Sequence, residues 1–169
     1  MKRLICAAVV IATVFLMSGQ SDAQIALRGG AGMIFDNSQL GGHASLVVPF
    51  SSKPGGLMVA AEYYKKSGTT TIPISFRGLY TIKASNATVY LGVGSGFIYT
   101  KVTGAPVNAA AAALSLASTK ALFSAVGGMN FKFSGPLGAF AEVTLDRALT
   151  SGATNNWAGK AGISLTLQD

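Results

Sequence analysis

The residues best suited to chemistry in this sequence are a histidine and a serine separated by one residue, His43 and Ser45. Side chains two residues apart in an extended strand point to the same side, so His43 could act as a base on the Ser45 hydroxyl. Glu62, on the next predicted strand, could orient the imidazole and complete a group typical of hydrolases. The alternative is that His43 only fills the interior. Because such a pair is a weak motif without its context, we expect no enzymatic activity.

A second set of candidate residues consists of charged side chains within otherwise apolar segments, on the side opposite the apolar residues. They are Arg28, Glu62, Arg77, Lys132, Glu142, Asp146 and Lys160, to which His43 and Tyr90 add polar groups. Charges enclosed in a narrow interior are costly unless they are paired. We therefore expect the four cations to pair with the three carboxylates and to plug the interior. The alternative is a narrow path for ions or small solutes that the same charges control.

Other chemistries find little support in the composition. The sequence contains one histidine and one cysteine, and that cysteine, Cys6, lies in a segment that we expect to be removed, so neither a metal site nor a disulfide is expected. The glycines of residues 92–96 precede no helix, which argues against nucleotide binding, and we expect no cofactor. The net charge is +7, but no basic cluster is interleaved with aromatic residues. We expect membrane lipid, with its anionic headgroups, as the partner rather than nucleic acid.

The first 23 residues have the organisation of a secretory signal peptide. Lys2 and Arg3 precede an apolar run from Leu4 to Met17, and residues 21–23 supply small side chains at the positions that a signal peptidase reads. The run is too short to span a bilayer comfortably. We predict export of the chain, with a signal peptide at residues 1–23 and one mature domain at residues 24–169.

The mature sequence alternates with a period of two residues. Residues 87–101 show this best, since large apolar side chains occupy one side and Gly92, Gly94 and Gly96 occupy the other. We expect these glycines to make room for charged side chains from other strands. Eight segments of this kind lie at about residues 25–35, 42–50, 57–66, 70–83, 87–101, 119–133, 137–146 and 157–167. An even number of such strands predicts an all-β, eight-stranded, antiparallel up-and-down transmembrane β-barrel.

The connections and the aromatic residues give this barrel an orientation. After the fourth strand, short turns alternate with longer connections at residues 102–118 and 147–156, which we predict to be exposed outside the cell. The aromatic residues then lie at two heights, as expected for membrane interfaces. They are Phe35, Tyr63, Tyr99, Phe123 and Trp157 at the outer ends, and Phe50, Tyr80, Phe131 and Phe133 at the inner ends. A soluble barrel or sandwich would explain the alternation but not the two heights.

Residues 123–133, 137–145 and 157–165 resemble the last three strands of small bacterial outer-membrane β-barrel proteins, and residues 90–97 resemble a middle strand. This group includes barrels similar to the membrane domain of outer-membrane protein A, and the resemblance covers essentially the whole mature chain. It implies a monomer in the cell outer membrane with a structural or interaction role and a possible extracellular partner for its loops. Members usually end in an aromatic residue that the assembly machinery recognises, whereas this chain ends in Leu167, Gln168 and Asp169, which departs from that pattern.

The resemblance also bears on the hydrolase alternative. Outer-membrane lipid A deacylases are similar in placing a histidine, a serine and an acid on an eight-stranded barrel. They carry this pair late in the chain, whereas His43 and Ser45 lie in the second segment. A lipid-modifying hydrolase therefore remains the weakest of the three functions, after the structural role and the channel.

Overall fold

The structure of the protein, a computed structural model, describes residues 25–51, 53–102, 116–133 and 135–167. The strands are β1 (Ile25–Ile34), β2 (Gln39–Pro49), β3 (Gly55–Lys66), β4 (Thr69–Ala84), β5 (Ala87–Val102), β6 (Leu116–Lys132), β7 (Leu137–Ala148) and β8 (Asn155–Leu167). Each strand pairs antiparallel with the next, and β8 pairs with β1 to close the barrel. The predicted fold is confirmed. None of the described residues forms a helix long and apolar enough to cross a membrane.

The two-residue alternation in the sequence corresponds to the interior and exterior faces of the barrel wall. In β4, Ser75 and Arg77 are buried, whereas the intervening Phe76 and the preceding Ile74 are each 41% exposed. In β5, Leu91 and Val93 are about three-fifths exposed, at 62% and 61%, while Tyr90 is buried. Large apolar side chains therefore cover the outside, and polar side chains fill the interior. This is the reverse of the usual distribution in a soluble protein.

The connections divide the barrel into two ends. We call the end that carries the β1–β2, β3–β4, β5–β6 and β7–β8 connections the loop end, and the opposite end the turn end. At the loop end, Ser67 and Gly68 join β3 to β4 with φ angles of 45° and 81°. Two positive φ angles in a two-residue connection are typical of the type I′ turn, whose twist matches that of the paired strands.

Most strand boundaries agree with the predictions to within two residues, but β2 and β6 each begin three residues earlier than expected. Residues 36–41 are rich in turn-forming residue types, so the predicted second segment begins only at residue 42. In the barrel, Gly41 is a strand residue, and a Cβ atom there would lie 2.0 Å from the backbone oxygen of Tyr63 and 2.6 Å from the ring of Tyr64. The glycine therefore makes room both for the backbone of β3 and for a large buried ring. In β6, Leu116 pairs with Val102, which extends the β5–β6 hairpin.

The two predicted external loops are correspondingly shorter. The connection expected at residues 147–156 is reduced to residues 149–154, because β7 continues to Ala148 and β8 begins at Asn155. The connection expected at residues 102–118 is shortened at both ends, because residue 102 belongs to β5 and residues 116–118 belong to β6. Residues 103–115 lie outside the described residues. The predicted signal peptide also lies outside them.

Pro73 marks an interruption in the ladder between β3 and β4. Pairing is regular up to Ala61 opposite Ile74 and resumes at Tyr64 opposite Thr71. Proline has no N–H group to donate, so a gap at this position is expected. Pro73 lies near the loop end of β4, where a missing ladder hydrogen bond disrupts little of the sheet.

The glycines of β5 do not all serve the purpose expected of them. A Cβ at Gly92 would meet the side chains of Leu79, at 2.5 Å, and Val126, at 3.0 Å, which are apolar. Cβ atoms at Gly94 and Gly96 would collide with the backbone of β4. The expectation that these glycines make room for charged side chains was therefore wrong. Gly32 and Gly128 do so instead, since a Cβ at Gly32 would lie 2.9 Å from Lys160 Cγ and one at Gly128 would lie 2.7 Å from Glu142 Cβ.

The aromatic residues predicted for the membrane interfaces are on the outside of the barrel. Those with exposed side chains are Phe35, Phe50, Tyr63, Tyr80, Phe123, Phe131, Phe133 and Trp157, and Tyr99 is half-buried. Phe35 covers Gly159, because a Cβ at that glycine would lie 2.7 Å from the edge of its ring. Their function as interface residues stays a prediction.

Candidate functional site

Six of the seven predicted interior charges are buried inside the barrel. They are Arg28, Glu62, Arg77, Glu142, Asp146 and Lys160, each at most 7% exposed. The prediction for the seventh, Lys132, was wrong. Lys132 has the inward parity of its strand, but it is the last residue of β6 and its side chain is exposed at the turn end. The enclosed set therefore contains three cations and three carboxylates, which balance.

Arg77 connects two of these carboxylates. Its Nη2 lies 3.6 Å from both Glu62 Oε1 and Asp146 Oδ1. Its Nε donates a hydrogen bond of 2.8 Å to Ser124 Oγ, and the Ser124 hydroxyl in turn donates to Asp146 Oδ1. The fully buried Ser124 thus relays between the cation and the acid, and fixes the direction of both.

Lys160 connects Glu62 to Glu142. Its ammonium donates to Glu62 Oε1 and lies 3.5 Å from Glu142 Oε1. Two tyrosines donate to the other carboxylate oxygens, since Tyr64 donates to Glu62 Oε2 at 3.0 Å and Tyr90 donates to Glu142 Oε2 at 2.9 Å. Glu62 therefore accepts hydrogen bonds at both oxygens, whereas Glu142 Oε1 has no hydrogen-bond partner and is compensated only by the nearby ammonium. Buried ions are tolerated to the extent that opposite charges and hydrogen bonds compensate them.

Arg28 ends the series. Its Nη1 lies 3.9 Å from Glu142 Oε2, and its guanidinium carbon lies 4.5 Å from the centroid of the Tyr90 ring and 5.7 Å from that of Phe140. A guanidinium above aromatic rings gains cation–π stabilisation when water is excluded. Acids and cations thus alternate through the barrel in the order Asp146, Arg77, Glu62, Lys160, Glu142 and Arg28, which we call the charge chain.

Apolar residues lie at both ends of the charge chain. Towards the turn end, Val47, Met58, Leu79, Tyr90 and Val126 form a buried cluster. Towards the loop end, Ile34, Tyr64 and Ala158 form a second cluster. The cavity between Glu62, Tyr64 and Ile98 has a volume of about 10 Å³, which is enough for one water molecule at most. At this point of the interior there is no room for a larger molecule.

The serine, histidine and carboxylate group is assembled in part. His43 Nε2 lies 3.1 Å from Ser45 Oγ, and His43 Nδ1 lies 3.8 Å from Glu62 Oε1. However, His43 Nε2 also lies 3.7 Å from Glu142 Oε1, and the ring packs against Phe140. His43 and Ser45 are 5% and 6% exposed, so both side chains are closed off from the outside. The arrangement has the distances of a nucleophile and its base but lacks access.

Several buried polar atoms among the described residues have no hydrogen-bond partner. They include Thr144 Oγ1, Ser164 Oγ, Ser75 Oγ, Gln39 Oε1 and Arg28 Nε. Such atoms are costly when dry, and they mark positions where water would be stabilised. Within the described residues, no group of three or more histidine, cysteine or acidic side chains is arranged to hold a metal ion.

Two members of the interior network were missed or undervalued by the sequence reasoning. Tyr64 was not identified, although it is fully buried and donates to Glu62. The adjacent pair Tyr63-Tyr64 carried a usable signal, because neighbouring residues on a strand face opposite sides and one of the two rings had to point inward. Ser124 has the inward parity of its strand, but its bridging position between Arg77 and Asp146 depends on the register between β6 and β7.

No protein-family model matches the sequence, and no curated protein matches it significantly. Solved structures do share the fold. The N-terminal β-barrel domain of OprF from Pseudomonas aeruginosa aligns with a TM-score of 0.63 and 14% identity, over 88% of this chain and 100% of that one. Neisserial surface protein A (NspA) aligns with a TM-score of 0.58 and 13% identity, over 85% and 96% of the two chains. The attachment invasion locus protein Ail of Yersinia pestis aligns with 0.56 and 10%, over 88% and 99%.

The same fold also occurs in a protein with catalytic activity. The outer membrane enzyme PagL aligns with a TM-score of 0.50 and 12% identity, over 86% of this chain and all of that one. Since one fold can carry unrelated functions, the likeness does not decide the function of this chain. Strand number, closure, pairing order and the solved structures agree: the chain has the fold of the small eight-stranded barrels of bacterial outer membranes.

Proposed function

We propose that the protein is exported by its N-terminal signal peptide and resides in the bacterial outer membrane as a monomeric, non-enzymatic barrel with a structural or interaction role. The outside supports a membrane location, because leucine, valine, isoleucine and phenylalanine side chains are exposed along the middle of β4 and β5. Water would penalise such a surface, whereas lipid stabilises it.

The observation that carries the structural role is the packed and balanced interior. Three cations and three carboxylates neutralise one another between two apolar clusters, and the cavity beside Glu62 and Tyr64 holds one water molecule at most. A barrel of eight strands is only wide enough for side chains to fill. In the part of the chain that the structure describes, the loop-end connections that remain available for a partner are residues 35–38, 67–68 and 149–154.

Cell fractionation tests the location. We expect the protein in the outer-membrane fraction, extracted only by detergent, and we expect the unheated protein to migrate faster on a denaturing gel than the boiled protein, because a closed barrel resists the detergent. Recovery in the periplasm without detergent would refute the membrane location. A soluble exported barrel would then be the correct description.

A narrow channel is the second candidate, and the unpartnered polar atoms of Thr144, Ser164 and Ser75 favour it, since they could bind water along the interior. Single-channel recording in planar bilayers separates the two functions. For a plugged barrel we expect no conductance from the wild type or from Glu142→Gln. Conductance steps in the wild type that change in Glu142→Gln but not in the exposed control Lys132→Gln would establish the channel instead.

A further inference from the structure

The charges outside the barrel have one sign almost exclusively. In the described residues, the exterior cations are Lys53, Lys65, Lys66, Lys83, Lys101, Lys120, Lys132 and Arg147, and all of them are exposed. The only exterior acid in the described residues is Asp36. The interior retains the other three described carboxylates, so that none of the ion pairs among the described residues involves an exterior cation.

These cations lie at the two ends of the barrel, and those that face outward on a strand all lie at the loop end. Lys65, Lys101 and Arg147 occupy the same strand parity as the exposed apolar residues of β3, β5 and β7. Lys83 and Lys132, at the turn end, have the inward parity, and Lys53 lies in a turn. The face directed away from the barrel therefore carries its positive charge at the loop end only.

Two of the outward-facing lysines form a pair across one strand. Lys65 on β3 lies opposite Thr70 on β4, and Thr70 lies opposite Lys101 on β5. Because neighbouring strands are about 4.8 Å apart, the two lysine backbones are separated by roughly 10 Å, with a threonine hydroxyl between them. Both lysine side chains are long enough to direct their ammonium groups to one anion placed above Thr70.

The surface directly below this row is aromatic and apolar. Tyr63 and Tyr99 lie two residues deeper on the same outward faces of β3 and β5, and Ile72 lies opposite Tyr99 on β4. Tyr63 is 49% exposed. A row of cations and a hydroxyl above a row of tyrosines and an isoleucine matches the order of a lipid, whose charged headgroup lies above its acyl chains.

We propose that Lys65, Thr70 and Lys101 bind the anionic phosphate headgroup of a lipid in the leaflet at the loop end, with the acyl chains against Tyr63, Ile72 and Tyr99. This site deepens the proposed function and rests on it, since it requires an inserted barrel. The lipid is favoured over a soluble polyanion because the site faces sideways, continuous with the exposed apolar surface. A sugar polymer or a nucleic acid approaching from solution would meet the inward-facing cations such as Lys66 first.

Spin-labelled lipids measure the binding. The full chain is expressed, and the mature protein is reconstituted into phosphatidylcholine vesicles that contain a trace of spin-labelled phosphatidic acid or spin-labelled phosphatidylcholine, and the immobilised fraction of each lipid is compared by electron paramagnetic resonance. The test variant is Lys65→Gln with Lys101→Gln. The matched control is Lys83→Gln with Lys132→Gln, which removes the same charge at the turn end from positions of inward parity. Insertion of every sample is checked first by its heat-dependent gel mobility.

We expect the wild type to prefer phosphatidic acid, and we expect the relative affinity of this site to fall about fivefold for each lysine removed, with the control unchanged. An inserted wild type without a preference, or an equal loss in both double variants, would overturn the lipid site while leaving the proposed function intact. Failure to insert would instead overturn the proposed function. Binding of soluble heparin is measured on the same samples. If Lys65→Gln with Lys101→Gln lost heparin binding but kept the lipid preference of the wild type, the surface would be assigned to a polyanion and the lipid site would be overturned.

Discussion

Glu142 on β7 and Lys160 on β8 lie directly opposite each other in the strand register, with Glu142 Oε1 3.5 Å from Lys160 Nζ. The same ammonium also contacts Glu62 on β3, across the barrel. One lysine therefore compensates two buried carboxylates that come from different sides of the wall. Removing the charge of Lys160 would leave Glu62 and Glu142 each with one neighbouring cation fewer.

We predict that Lys160→Met destabilises the barrel by about 3–5 kcal/mol, because it strands negative charge in a dry interior. Urea unfolding in detergent micelles, followed by the heat-dependent gel shift, measures the change. Lys132→Met is the control, since this lysine is exposed and should change the stability by less than about 0.5 kcal/mol. Equal effects of the two substitutions would contradict the importance of the charge chain.

Gly128 gives a steric test of the same interior. We predict that Gly128→Ala costs about 1–3 kcal/mol, because its Cβ would lie 2.7 Å from both Glu142 Cβ and Tyr90 Oη. Gly29→Ala is the matched control, since no atom lies within 4 Å of a Cβ there. Thermal unfolding of the two variants under identical conditions compares them, and a destabilisation of Gly29→Ala as large as that of Gly128→Ala would show that strand flexibility, not space, is limiting.

The exposed middle of β5 tests whether the surface contacts lipid. Val93→Arg should destabilise the inserted barrel by about 2–4 kcal/mol, because a charge would be placed near the bilayer midplane. Leu40→Arg, near the loop end opposite Lys65, should cost only about 0–1 kcal/mol. Unfolding from phospholipid vesicles provides the comparison. A Val93→Arg variant as stable as the wild type would indicate that this face meets water.

The hydrolase alternative can be tested chemically, because it requires Ser45 to be an accessible nucleophile. We predict instead that Ser45 does not react with a fluorophosphonate in the folded protein, because it is 6% exposed. Mass spectrometry of the intact protein detects the adduct, and Ser45→Ala identifies its position. A stoichiometric adduct on wild-type protein that is absent from Ser45→Ala would establish an accessible nucleophile.

The period-two alternation was sufficient to predict the architecture, because each strand is long and each face is consistent. Local patterns were less reliable where one residue type has two uses. Gly41 was interpreted as part of a turn, although it is a strand residue beneath the ring of Tyr64. Glycine shows in a sequence only that a side chain is absent, and the partner that fills the space is a property of the register.

The interior site was predictable in membership but not in connectivity. Parity alone placed Arg28, Glu62, Arg77, Glu142, Asp146 and Lys160 inside. Parity also placed Lys132 inside and was wrong, because it takes no account of height: the last residue of β6 points past the end of the packed interior. The pairing of Arg77 with Asp146 through Ser124 depends on the barrel's closure and stagger, which the sequence does not display.

The pairing of β1 with β8 has a consequence for how the molecule is made. Gly30 pairs with Gly162, so the contact that closes the barrel joins residues from nearly opposite ends of the described chain. Until the final strand has been synthesised and delivered, one edge of β1 has no partner, and contacts of such long sequence separation form slowly. Biogenesis must therefore shield an open sheet edge until closure, and a chain truncated within β8 would leave that edge permanently open to aggregation.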